Sequence, residues 1–123
     1  MHMSSDLRKA VQTYLDGLYQ GDTDLFREVF HPEARLFSAT GGQLTALSLA
    51  QYLDIVLGRP SPASRGDTRR DEIVSLVEAS PTTAHARLRN AYHPKFFTDD
   101  LTFIRIDGAW RIIAKVWHFD LVS

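Results

Sequence analysis

Few residues in this 123-residue chain have types and spacings that suit chemistry. Tyr14 shares a helical stripe with Leu7, Ala10, Val11, Leu15 and Leu18, so its ring points inward and its hydroxyl must find a partner. It is either a ligand contact or a core tyrosine bonded to a sheet. Asp100 and Lys115 fall opposite each other if the strands on either side of Asp107-Gly108 pair across a two-residue turn. Such an ion pair can orient a polar ligand or hold a proton-transfer group; otherwise it is a solvated pair at the end of a sheet. Arg87 and Arg89 alternate with Ala86 and Leu88, and are expected to face outward, toward solvent or a second subunit. Facing inward, they would bind an anion.

Much chemistry is excluded or unsupported. The chain has no cysteine, which removes thiol catalysis, disulfides and thiolate metal sites. His2, His31, His85, His93 and His118 show no metal-ligand spacing, and His93 and His118 with Asp99 make at most a weak site, so no metal is expected. There is no Gly-x-Ser-x-Gly elbow, and Gly41-Gly42 reads as a turn rather than a nucleotide fingerprint. No cofactor is expected. The 14 basic and 15 acidic residues give a formal net charge of -1, which offers no electrostatic support for binding nucleic acid or a membrane surface. No apolar leader or membrane-length run is visible, and the cytoplasm is the expected compartment.

The elements that must position these residues follow from periodicity. A first helix is predicted over Asp6 to Gln20, closed by Gly21, and a second, capped by Asp22, carries Leu25, Phe26, Val29 and Phe30 inward until Pro32. Strands are expected at Ala34 to Ala39 and around Gln43 to Thr45. Ser48 and Gln51 form a capping-box pattern for a third helix with Leu49, Tyr52, Leu53, Val56 and Leu57 inward, ended by Gly58 and Pro60. Arg59 to Asp67 reads as a loop, and the one segment expected to be mobile. Long strands follow at about Thr68 to Glu78 and Thr83 to Tyr92. A terminal β-hairpin, FTDDLTFIRIDGAWRIIAKVWHFD, turns at Asp107-Gly108. The expected register puts Thr98, Asp100, Thr102, Ile113, Lys115 and Trp117 on one face, and Leu101, Phe103, Arg105, Trp110, Ile112, Ala114, Val116 and His118 on the other; a one-residue bulge would slip one strand against the other. The fold class is α+β: one domain over 6–123, three helices on a strongly curved, mainly antiparallel sheet, with 1–5 an unstructured start or cloning remnant.

The order helix, helix, short strands, helix and long strands ending in IDGAWRIIAKVW resembles the nuclear transport factor 2-like superfamily of cone-shaped α+β barrels. Within it, FTDDLTFIRIDGAWRIIAKVWHF is most similar to the family called putative lumazine-binding. The resemblance implies a pocket between the concave sheet face and the helices, and a homodimer packed through the outer sheet face. The run VQTYLDGLYQGDTDLFREVFHPEA also resembles the start of the ketosteroid isomerases. That likeness places Tyr14 at their oxyanion-stabilising tyrosine, Ser38 where they need a proton-moving carboxylate, Thr102 where they need a protonated aspartic acid, and Trp117 at a pocket-lining tryptophan. Serine and threonine cannot replace those acids, so steroid-type isomerisation is not expected.

The expected function is binding of a small apolar or heterocyclic molecule by Tyr14, Ser38, Tyr52, Thr102, Lys115 and Trp117. One alternative is a cofactor-free lyase or isomerase in the same pocket, with Tyr14 donating a hydrogen bond and Asp100 or Lys115 moving protons. The other is a protein-interaction module using the outer sheet face.

Overall fold

In the computed structural model, which describes residues 5–122, the stripe carrying Tyr14 is the buried face of α1 (Ser5–Gln20). The start expected over 1–5 lies outside the described residues except for Ser5, which opens α1. Gly21 closes that helix at φ 64, a left-handed conformation in which a Cβ is strained. Asp22 then caps α2 (Thr23–Val29) by accepting from the backbone N–H groups of Asp24 and Leu25. The two helices approach closely at Gly17, where a Cβ would lie 2.8 Å from the Phe26 ring.

α2 ends at Val29, before Pro32. The chain passes directly into β1 (Phe30–Ser38), and Pro32 sits where its pairing with β6 (Ala109–Leu121) is interrupted between Phe30 and Arg35. Proline has no N–H to give a ladder, so an irregular stretch suits it. β2 (Thr45–Ser48) leads into α3 (Leu49–Leu57), whose capping box at Ser48 and Gln51 forms as expected. Gly58 closes α3 with an ordinary negative φ of -87, so the cap is not left-handed. The 59–67 segment carries a single 3₁₀ turn (Ala63–Arg65) and is tied at several points. Tyr92 donates to the Pro60 carbonyl, Tyr19 donates to the Asp67 carbonyl, and Arg65 pairs with Asp67 at 2.9 Å.

With β3 (Asp71–Glu78), β4 (Thr83–Tyr92) and β5 (Lys95–Ile106), the strands form one curved sheet in the order β2-β1-β6-β5-β4-β3. All pairings are antiparallel except β1 with β6. The sheet is open, with β2 and β3 at its edges. Three helices cover its concave face, and the α+β class read from the sequence holds. The core joins Leu7, Val11 and Tyr14 of α1, Phe26 and Phe30, Tyr52 and Leu53 of α3, and Leu88, Leu101, Phe103 and Ile112 of the sheet.

The β5–β6 hairpin turns where expected, with Asp107 at φ 53 and Gly108 at φ 78, the paired positive angles of a type I′ turn. Near the turn the expected register also holds: Ile106 faces Ala109 and Phe103 faces Ile112. Beyond that point it does not. Ile113 is an extra, bulged residue, so Thr102 pairs with Ala114, Leu101 with Lys115, Asp100 with Val116 and Asp99 with Trp117. The consequence is a change of faces. Phe103 and Ile112 are buried in the core rather than outward, whereas Thr102 is exposed on the convex face. Asp100 is also outward, where Arg87 donates to it at 2.7 Å, so the expected Asp100–Lys115 pair does not exist. Arg87 and Arg89 face outward as expected.

Candidate functional site

Side chains at one level of the concave face come from neighbouring strands, and this registry assembles the site. One level carries Ser38, Trp117, Asp99 and Leu88; the next, toward the turn end of the hairpin, carries Leu36, Lys115, Leu101 and Ala86; on the other side lie Phe119, Phe97 and Asn90. Tyr14 of α1 and Tyr52 of α3 close over them. Between them lies a cavity of about 180 Å³, lined by Leu18, Leu47, Tyr52, Ile55, Arg59, Asn90, Tyr92, Lys95, Phe97, Asp99, Lys115, Trp117 and Phe119.

Asp99 is its polar centre, 1% exposed. Its Oδ2 accepts from the Tyr14 hydroxyl at 2.6 Å and from the Asn90 amide at 3.0 Å. Its Oδ1 is buried with no hydrogen-bond partner among the described residues. A buried carboxyl oxygen without a partner costs about 1–3 kcal/mol, and more if charged, so it is a strong acceptor waiting for a donor. Tyr14 is fully buried behind Asp99. Burial, followed by the Asp99 charge beside it, pushes its phenol well above the usual tyrosine range, so it acts as a hydrogen-bond donor.

Lys115 lies one level away, 4% exposed. Its Nζ donates to the Tyr52 hydroxyl at 3.2 Å and sits 4.6 Å from the Tyr52 ring centre, 5.3 Å from that of Tyr14 and 5.6 Å from that of Trp117. Aromatic faces thus take the place of a carboxylate around this amine. Arg59 lies over the Tyr92 ring at 4.3 Å, and its buried Nε has no partner among the described residues. The cavity therefore offers an acid, an amine and a guanidinium on aromatic walls. Among the described residues no group of three or more His, Asp or Glu side chains is placed to hold a metal ion.

Of the residues expected to form the site, Tyr52, Lys115 and Trp117 line the cavity, and Tyr14 reaches it through Asp99. Ser38 is buried at the level of Trp117, but its hydroxyl is engaged with Thr40 at 3.1 Å. Thr102 is on the opposite face. Asp99, Asn90, Arg59 and Tyr92 also line the cavity, where the sequence reading did not place them. The acid that lies beside Tyr14 is Asp99, whereas Thr102 is on the other face. No carboxylate replaces Ser38. Alternation did hold the signal, since Asp99 is inward whenever Leu101 and Phe103 are.

A family model described as putative lumazine-binding matches residues 3–118. The aldolase FrzH of a Cladobotryum species is 24% identical over 107 residues, covering 85% of this chain and 82% of that one. Among solved structures, an NTF2-like protein of unknown function from Shewanella baltica superposes with a TM-score of 0.82 at 20% identity, covering 97% of this chain and 98% of that one. Another, from Silicibacter pomeroyi, gives 0.78 at 21% identity, with 94% of each chain covered. A ketosteroid isomerase-like protein from Erwinia carotovora gives 0.72 at 12% identity, again with 94% of each covered. These structural likenesses establish the nuclear transport factor 2-like fold. No helix among the described residues is long and apolar enough to cross a membrane.

Proposed function

We propose, for a chain that belongs to the putative lumazine-binding family, that the cavity takes up one compact small molecule whose polar edge is held at Asp99 and Lys115. The observation that carries this is the unpartnered Asp99 Oδ1, buried on the wall of an otherwise aromatic cavity. A buried polar atom of this kind is expected to meet a ligand donor. Size narrows the class: about 180 Å³ is close to the roughly 150 Å³ void that holds benzene, so a single ring or a short chain fits and a steroid skeleton does not.

A second reading, a cofactor-free lyase or isomerase, is favoured by the Tyr14–Asp99 pair at 2.6 Å. A phenol donating to a carboxyl that also faces the cavity is suited to moving a proton to or from a carbonyl compound. The aldolase relative points the same way. The chain is further proposed to dimerise through the convex sheet face, where Phe37, Val116 and Val77 are exposed.

Asp99→Asn tests the site because it keeps shape and changes charge. Native mass spectrometry of freshly purified protein identifies the co-purifying molecule, and calorimetry with that molecule compares the two proteins. Binding weakened at least about tenfold by the substitution is expected for a charge-assisted bond. Equal affinities would remove Asp99 from the site and with it the proposal.

A further inference from the structure

We infer that Lys115 is a nucleophilic amine and that the molecules this pocket takes are aldehydes or ketones, held as an imine on its Nζ. The inference rests on the pocket reading above and adds covalent chemistry to it. Lysine is seldom buried without a carboxylate, yet among the described residues no carboxylate oxygen lies within 4.0 Å of this one. A carboxyl group is available one level away, but Tyr14 and Asn90 hold Asp99 Oδ2. The fold thus keeps an amine and an acid on the walls of one cavity without letting them neutralise each other. Lys115 is left with a single hydrogen bond, to Tyr52, and three ring faces, a desolvated setting of the kind in which lysines act as nucleophiles.

The step balances without a co-reactant. The Nζ lone pair attacks the carbonyl carbon while the C=O π pair moves to oxygen, and a proton leaving nitrogen reaches that oxygen through Asp99. The second proton of the nitrogen then passes through Asp99 to the hydroxyl, which leaves as water as the nitrogen pair forms the C=N bond. The sum is a ketone or aldehyde plus an amine giving an imine plus water, with nothing oxidised or reduced. Protonated, the imine accepts an electron pair from an adjacent bond, so α-proton removal and carbon–carbon cleavage become accessible. The hydroxyl of Tyr14, bonded to Asp99, keeps the acid oriented.

The chain has three lysines, Lys9, Lys95 and Lys115, which makes the test direct. Wild-type protein is treated with 2,4-pentanedione, which converts an amine into a stable enaminone, and the rate at each lysine is read by absorbance and peptide mass mapping. Lys115 is expected to react first and with saturation, about tenfold or more ahead of exposed Lys9 despite its burial. Lys115→Arg keeps a long basic side chain without the nucleophilic amine, and is expected to abolish the fast phase. Lys115 reacting no faster than Lys9, or a fast phase confined to Lys95, would overturn the inference. Loss of ligand affinity in Asp99→Asn alongside a slow Lys115 would leave the pocket standing and remove only the imine.

Discussion

The Tyr14 hydroxyl joins α1 to the site through Asp99, and its replacement has a defined cost. In Tyr14→Phe, Asp99 keeps only the Asn90 donor, and a loss of about 1–3 kcal/mol in denaturant unfolding is expected. Alkaline pH supplies a second signature. Because the native phenol is held above its unfolded value, its contribution is intact below about pH 10 and is lost as pH climbs toward the native value. The stability gap between wild type and Tyr14→Phe should therefore narrow above that pH; a gap constant up to the highest accessible pH would show that Tyr14 is not the group responsible. Tyr14 was legible as inward from helical spacing alone. Its partner was not, because an acid on an apolar strand face reads as a surface residue until the register is known.

At the scale of elements, the Ile113 bulge decides what the site contains. It lets Trp110 and Ile112 face the core near the turn while Lys115 and Trp117 face the cavity farther along, positions of opposite parity on one strand. Deleting Ile113 leaves Ala114 alone between Ile112 and Lys115, so Ile112, Lys115 and Trp117 then face the concave side by strict alternation, without a bulge. The expected outcome is a folded protein in which iodide quenches Trp117 fluorescence no more than in wild type; markedly increased quenching would show that the bulge itself is needed to aim Trp117 into the cavity. The turn was plain in the sequence because Asp107-Gly108 supplies both positive φ angles. The bulge was hidden because Ile112, Ile113 and Ala114 are all apolar and carry no alternation for a reader to follow. Helix limits were nearer the mark where a cap defined them, at Asp22 and Ser48, and missed where Pro32 was taken for a stop.

For the whole molecule, helices cover the concave face and the convex face is left bare. Phe37 and Val116 are paired across β1 and β6 on that bare side, 36% and 50% exposed. If the proposed dimer forms there, Val116→Lys places a charge at its centre and shifts the protein to monomer in sedimentation equilibrium, whereas ligand affinity is retained because the side chain points away from the cavity. A wild-type protein that sediments as a monomer would remove the dimer. One consequence of the topology concerns the timing of assembly. β6 is the last strand along the chain and a central one in the sheet, pairing with β1 some eighty residues earlier. During synthesis, the helices and the first strands emerge without the surface they fold against, and the cavity acquires its floor only after the ribosome has passed Trp117.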